Sequence, residues 1–352
     1  MKILHIIIRS SYDGAVVLPI GIIESLPEYK HQILSFFRGS AFQEIIQKDI
    51  PYTDFITDES LSKKHRLGKF VFVVQFLNHH NFDIIHFHTG GLGVLLLTYL
   101  FRGKAKVIFH IHSGNISGVP NKRKLFLWQK IVLRYLNNRT IQIAVAEHVT
   151  KNYEAQIGSK QNISLVKNFE NYDFKEKEKL NYSVGFLGRV IEAKNFNILF
   201  NIVNELRKQS TKISVRVKGD IYPSRTISID KIMSTFNYEF PSFSIEQFFS
   251  QIDLLLFPSL LEECRPLVIL EALAFDTPII AAKTKAVVEI LGEYPLLVNT
   301  IEVESIMEKI MCFYSGQIDR HYLTNLHREL YSKHPAKDSI EKIRNIYETP
   351  YL

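Results

Sequence analysis

The feature that most constrains this chain is a series of short, densely apolar runs, each ending in turn chemistry. "KILHIII" (2–8) leads into "RSSYDG", "FDIIHFHTGG" (82–91) ends on a glycine pair, and "AKVIFHIHSG" (105–114) ends on a polar loop. "HQILSFF" (31–37), "QIAVAEHVTKNY" (142–153) and "ISLVKNF" (163–169) continue the pattern. Apolar runs without strict alternation suit strands covered on both faces, which are parallel strands. Parallel neighbours need a crossover, usually a helix. Helical periodicity duly falls between them, in "FVFVVQFLNHH" (70–80) and "GVLLLTYLF" (93–101). An α/β doubly wound sheet is expected. Its ligands would bind beyond the carboxyl ends of the strands. Residues just after strands therefore carry the functional expectation.

The pattern runs twice. "ENYDFKEKEKLNY" (170–182) is charged, polar and aperiodic, and reads as a linker. After it come "SVGFLGR" (183–189), the helix "NFNILFNIVNELRKQ" (195–209), and the strands "ISVRVKGD" (213–220), "DLLLFPS" (253–259) and "TPIIAA" (277–282). The expected organisation is a Rossmann-like domain over 1–169, a linker over 170–182, a second such domain over 183–335, and a C-terminal helix over 336–352 returning to the first domain. The two domains would face each other across a cleft. A chain of 352 residues suffices for two cores. Two cysteines, Cys264 and Cys312, suggest no disulfide framework or zinc site, in keeping with a reducing cytoplasm. No apolar run reaches the roughly 20 residues of a spanning helix. A net charge of +7 favours an anionic partner.

Two stretches concentrate the chemistry. In "GFLGRVIEAKN" (185–195), Arg189 and Lys194 follow a strand and approach a helix start. Arg grips phosphate oxygens bidentately, Lys adds a point charge, and a helix N-terminus adds backbone donors. The plain alternative is a solvated loop with two surface cations. In "FPSLLEECRPLVILEALA" (257–274), Glu263 and Glu271 stand seven residues apart in a nearly apolar setting, with Glu262 beside the first. Pro266 suits a first helical position. Glu263 then lies in the preceding loop and Glu271 in the helix's second turn, leaning towards the N-terminus. Carboxylates in such a setting suit hydroxyl-rich ligands. The alternative is that Glu271 points outward from a half-buried helix.

These stretches resemble the retaining glycosyltransferases of family 4, which have the GT-B fold. "PSLLEECRPLVILEALAFDTPIIAA" is similar to their signature of two glutamates separated by seven residues, and "GFLGRVIEAKN" to their Gly-Arg…Lys donor-phosphate loop. "KILHII…DG", "DIIHFH", "HSG" (112–114) and "ISLVKNF" agree more loosely. The resemblance implies that Arg189 and Lys194 bind the nucleotide diphosphate. It implies that Glu271 accepts from the ribose hydroxyls, and that Glu263 contacts donor-sugar hydroxyls near the reacting carbon. His112 would sit beside the donor sugar, and Gly14 in "YDGA" would let the first loop approach the phosphates. The chemistry implied is sugar transfer with retention. The leaving phosphate itself deprotonates the acceptor, and cations stabilise its charge. Neither cofactor nor metal is implied, and the chain has no Asp-x-Asp motif.

The sequence departs from the family where a Gly-Phe-Gly commonly follows the first glutamate. Here Cys264, Arg265 and Pro266 stand, and Pro266 has no N–H. The amides of Leu267 and Val268 remain as helix N-terminal donors, and Arg265 is a candidate source of replacement charge. The family's later glycine pair is also missing, with "KTKAVVEIL" (283–291) in its place.

Two further features stand outside these motifs. His86/His88 and His110/His112 alternate along strands, so each pair shares one face. Without a carboxylate or Cys at a ligand-like offset, a structural or ligand-contacting role is expected rather than a metal. "NKRKLFLWQKIVLRYLNNR" (121–139) has six Lys/Arg and no acid. On a helical wheel Leu125, Trp128, Val132 and Leu136 share the side expected to face the sheet. Arg123, Lys130 and Arg134 lie opposite, flanked by Phe126, Leu127, Ile131 and Leu133. Such a helix suits an anionic membrane surface, a basic acceptor site, or merely a solvated stripe. The expected protein is a cytoplasmic enzyme moving a sugar from a nucleotide-diphosphate sugar to a glycan or lipid-linked acceptor in bacterial surface polysaccharide synthesis. The rivals are a nucleotide-sugar 2-epimerase of the same fold, and a non-catalytic basic protein binding membrane or nucleic acid. No nucleic-acid motif supports the last.

Overall fold

A computed structural model describes residues 1–56, 66–88, 92–112, 126–158, 163–177, 179–242, 244–261 and 263–350. The chain forms two compact units, Met1–Asn168 with Lys337–Leu352, and Phe169–Ala336.

The first unit contains strands β1 (Lys2–Arg9), β2 (Lys30–Phe37), β3 (Tyr52–Ile56), β4 (Ile84–Phe87), β5 (Lys106–Ile111), β6 (Ile141–Ala144) and β7 (Ile163–Leu165). Between them run α1 (Gly14–Ser25), α2 (Phe42–Gln47), α3 (Arg66–His79), α4 (Leu92–Leu100), α5 (Leu127–Asn137) and α6 (Glu147–Ile157). All strand pairs are parallel, in the order β3-β2-β1-β4-β5-β6-β7. Strands β4 and β5 are buried along their whole length, as expected of largely apolar parallel strands, with His86, Lys106 and His110 buried among them. The order reverses between β1 and β4, so the loops after these strands flank the ligand position of a doubly wound sheet.

The second unit repeats the plan. Its strands are β8 (Ser183–Leu187), β9 (Ser214–Lys218), β10 (Asn237–Glu239), β11 (Leu254–Phe257), β12 (Ile279–Ala282) and β13 (Leu297–Val298). Its helices are α7 (Ile198–Lys208), α8 (Ile229–Thr235), α9 (Glu246–Ser250), α10 (Leu267–Ala274), α11 (Lys285–Leu291), α12 (Val303–Tyr314) and α13 (Arg320–Ser332). The sheet is parallel in the order β10-β9-β8-β11-β12-β13, with its reversal between β8 and β11. The stretch 170–182 lies along this unit. The Lys175 amide donates to Ala274 O at 2.8 Å, and Lys177 Nζ donates to Phe249 O at 2.7 Å and to Ile252 O. A buried salt-bridge-like cluster ties α13 to the turn after α10. Asp276 accepts from His327 Nδ1 at 2.6 Å and Thr324 Oγ1 at 2.8 Å, while Tyr294 bonds the other ring nitrogen at 2.7 Å.

The last helix, α14 (Ala336–Glu348), belongs to the first unit from Lys337 onward. Lys106 Nζ donates to the carbonyls of Ile346, Tyr347 and Thr349 at 2.6–2.7 Å, satisfying groups that a helix C-terminus leaves open. Tyr347 is fully buried, its hydroxyl 2.7 Å from His86 Nδ1.

The structure corrects the helical wheel of the basic segment. Residues 121–125, with Arg123 and Leu125, lie outside the described residues. Along α5, Leu133 and Leu136 are the buried positions, whereas Trp128 is 59% exposed. Leu133 and Leu136, three residues apart, define the stripe that α5 buries, and Trp128 lies off that stripe in the first turn of the helix.

Candidate functional site

In the second unit the functional candidates gather at the carboxyl ends of β8 and β11, where the strand order reverses. β8 ends at Leu187, and the chain crosses Gly188 with φ of 140°. Gly219, after β9, approaches so closely that a Cβ there would lie 1.9 Å from Gly188 O. Only glycine permits both this contact and its own φ of 149°. The glycine pair therefore sets the path of the loop that carries Arg189. Arg189 is half-buried and has no hydrogen-bonding or ionic partner among the described residues. Lys194 closes a single 3-10 turn, Glu192–Lys194, rather than starting the longer helix its sequence suggests. The residue after it, Asn195, takes a left-handed φ of 54° that breaks the helix before α7.

Lys194 Nζ lies 3.2 Å from Glu263 Oε1. Ser259 Oγ donates to the same oxygen at 3.1 Å. The carboxylate that follows β11 is thus fixed to the cation that follows β8. Glu262 lies outside the described residues. Glu271, in the second turn of α10, is buried at 7% exposure, which removes the outward-pointing alternative. Burial pushes its carboxyl well above the usual carboxylate range, while a hydrogen bond with Glu170 and the charge of Lys194 oppose that rise. Glu170 was not a sequence candidate. It stands in the polar stretch read as a linker, and nothing in its spacing marks a buried partner for Glu271.

Helix α10 begins at Leu267 behind Pro266, whose φ is −69°. The amides of Leu267 and Val268 have no acceptor among the described residues, as the first turn of a helix requires. Arg265 is buried beside the next helix. Its side chain is 1% exposed and its guanidinium lies 3.9 Å from Glu289 on α11. Burial lowers its pKa to about 10 against the opposing charge of Glu289. "KTKAVVEIL" forms α11, capped by Thr284 Oγ1, which accepts from the Val287 amide.

In the first unit, Gly14 is the first residue of α1, and Asp13 caps that helix by accepting from the Ala15 amide at 3.1 Å. His112 directly follows β5, while Ser113 and Gly114 of the "HSG" motif lie outside the described residues. His112 packs on His110 with ring centroids 4.4 Å apart, and its Nε2 is 3.4 Å from His88 Nδ1. His86 and His88 likewise share a face, with centroids 4.0 Å apart. Two triplets, His5/His86/His88 and His88/His110/His112, bring ring nitrogens within 4.8 Å of one another, a donor set of metal-binding type. Several of these nitrogens already pair with one another.

A family model described as Glycosyltransferase Family 4 matches residues 14–173, and one described as Glycosyl transferases group 1 matches residues 181–315. No curated protein sequence matches significantly. The chain superposes on HepE from Anabaena, solved in complex with UDP and glucose, with a TM-score of 0.77 at 18% identity, covering 99% of this chain and 100% of that one. A TarM variant from S. aureus, solved with Fondaparinux, alpha-GlcNAc-glycerol and UDP, gives 0.76 at 11% identity, covering 99% and 100%. The apo lipopolysaccharide outer core galactosyltransferase WaaB gives 0.60 at 16% identity, covering 98% of each chain. The neighbours are GT-B glycosyltransferases, and the paired parallel sheets of this chain have that fold.

Proposed function

We propose, from the premise that the chain belongs to the glycosyltransferases of family 4 and group 1, that it transfers a sugar with retention from a nucleotide-diphosphate sugar to a glycan or lipid-linked acceptor of a bacterial surface polysaccharide. The observation that carries this reading is the cluster at the β8/β11 reversal. There Lys194 is held 3.2 Å from Glu263, its charge reaches Glu271, and the open Leu267 and Val268 amides begin the helix that carries Glu271. Arg189, Lys194 and the Leu267 and Val268 amides bind the diphosphate. Glu271 accepts from the ribose hydroxyls, and Glu263 from the donor sugar. As the glycosidic bond breaks, negative charge grows on the leaving phosphate, and the cations stabilise it. The same phosphate takes the acceptor's proton on the face where the sugar leaves. No metal step is invoked, so activity is expected to survive a chelator.

HepE was solved with UDP and with UDP-glucose, which makes UDP-hexoses the first donors to test. The test is a thermal-shift panel of UDP-, GDP- and ADP-sugars on the wild type and Glu271→Ala. One nucleotide class should stabilise the wild type and lose most of its effect in the variant. No stabilisation by any of them refutes the donor assignment. A 2-epimerase would instead consume nucleotide sugar without an acceptor.

We place the enzyme in the cytoplasm, on the inner face of the membrane. No helix among the described residues is long and apolar enough to cross a membrane. Yet α5 and the residue before it expose Phe126, Leu127, Trp128 and Ile131, each more than half accessible, within a segment bearing only positive charge. Such a helix docks on anionic lipid. Sedimentation with anionic vesicles, and its absence with neutral ones, is the expected result. Equal and negligible binding to both ends the idea.

A further inference from the structure

Three histidines of the first unit bring unused ring nitrogens together. His88 directly follows β4, His110 lies in β5, and His112 directly follows β5. One ring nitrogen of each comes within 4.8 Å of those of the other two. His88 and His110 are buried, whereas His112 is partly accessible at the carboxyl end of its strand.

The outer nitrogens of two of these rings are already held. His110 Nδ1 lies 3.1 Å from His86 Nε2, and His86 Nδ1 lies 2.7 Å from the Tyr347 hydroxyl. His88 Nε2 lies 3.0 Å from His5 Nδ1, and His5 Nε2 lies 3.0 Å from His31 Nδ1. His31 Nε2 ends this line 2.8 Å from the Leu26 carbonyl. Burial keeps the rings neutral, each with one N–H and one lone pair. A carbonyl only accepts, so His31 carries its hydrogen on Nε2 and accepts at Nδ1. His5 then donates from Nε2 and accepts at Nδ1. His88 donates to it from Nε2, which leaves His88 Nδ1 as a lone pair.

The inner nitrogens fit one another poorly as hydrogen-bond partners. His88 Nδ1 lies 3.4 Å from His112 Nε2, against 3.0–3.1 Å for the other contacts between rings. A tetrahedral ion with metal–nitrogen bonds of about 2.0–2.1 Å has nitrogen–nitrogen edges of roughly 3.3–3.4 Å. His110 Nε2 is buried and has no hydrogen-bond partner among the described residues. A buried polar nitrogen in that state calls for an explanation, and a bound ion supplies one.

We propose that His88, His110 and His112 bind one divalent transition-metal ion, through Nδ1 of His88 and Nε2 of the other two. His5 and His86 orient two of the ligand rings from behind, as hydrogen bonds to the second ring nitrogen do in metal sites. Three neutral imidazoles suit zinc, cobalt, nickel or copper, and not magnesium or calcium, which take oxygen ligands. The sequence places no carboxylate or Cys at a ligand-like offset, and none is needed. Three histidines with a water or small anion complete a tetrahedron. The site belongs to the first unit and takes no part in the transfer chemistry proposed above, so it stands or falls independently of that reading.

The test is a cobalt(II) titration of the untagged full chain after stripping with a chelator. One cobalt should bind per chain with the strong visible absorption of a four-coordinate ion, and zinc should displace it. Zinc should also raise the melting temperature. His112→Ala, at the accessible end of the group, should lose the four-coordinate spectrum while its metal-free melting temperature stays near that of the wild type. His5→Phe, which removes the ring behind His88, should weaken cobalt binding roughly 10- to 100-fold. His79 and His80, adjacent at the end of α3, serve as the control, and replacing both with Ala should change nothing. A wild type that gives only the pale spectrum of six-coordinate cobalt overturns the proposal. So does unchanged binding in His112→Ala, or loss of binding in the His79/His80 control.

Discussion

Glu271 shows how environment assigns work to a residue. Its carboxyl is buried in an apolar helix, and burial raises its pKa despite Lys194 and the hydrogen bond to Glu170. A carboxyl whose folded pKa exceeds its unfolded value binds more protons in the native state. It supports folding below the ordinary carboxylate range, and that support is lost as pH rises through the raised value. Glu271→Gln should therefore gain stability relative to wild type as pH rises from mildly acidic to neutral, read as the difference between their melting temperatures. A difference that is flat with pH would show Glu271 ionised throughout. Arg265 offers a second check. If its buried charge acts on the donor phosphate, Arg265→Gln raises the donor KM several-fold. A lower melting temperature with unchanged KM would confine Arg265 to its contact with Glu289.

At the scale of elements, the loops after β8 and β9 depend on each other. A methyl group at Gly219 would collide with the Gly188 carbonyl and sit at a φ of 149° that side chains avoid. Gly219→Ala should cost roughly 3 kcal/mol of stability. It should also weaken nucleotide-sugar binding, because the displaced loop carries Arg189. Calorimetry and donor titration check the two effects together. An alanine variant of wild-type stability would mean the loops move apart freely. These loops were readable as glycine-bounded strand ends, but their mutual approach joins residues thirty-one apart, which no local pattern encodes.

At the scale of the whole molecule, the first unit is assembled from both ends of the chain. Lys106 on β5 holds the last carbonyls of α14, and Tyr347 fills a buried place against His86. Ending the chain at Ala336 should lower the melting temperature of the first unit and leave the second nearly unchanged, giving two resolved calorimetric transitions. It strips away a fully buried tyrosine and leaves a buried lysine without acceptors, each on the order of 2 kcal/mol or more. A single unshifted transition would show that α14 adds nothing to that unit.

The sequence by itself determined the fold class, the two-fold repetition of the βα plan and the family. It also marked Arg189, Lys194 and Glu263 in the loops that follow strands, and Glu271 in the helix after the second of these loops. Each of these is a local or periodic property: buried parallel strands must be apolar along their length, and a ligand site of this fold must follow them. Only the tertiary structure decided which side chains meet. It paired Glu170 with Glu271, turned Arg265 to Glu289, exposed Trp128 in place of Leu133, and brought histidines from neighbouring strands within hydrogen-bond reach of one another. Strand order and helix rotation fix those meetings, and both depend on contacts between residues far apart in the chain.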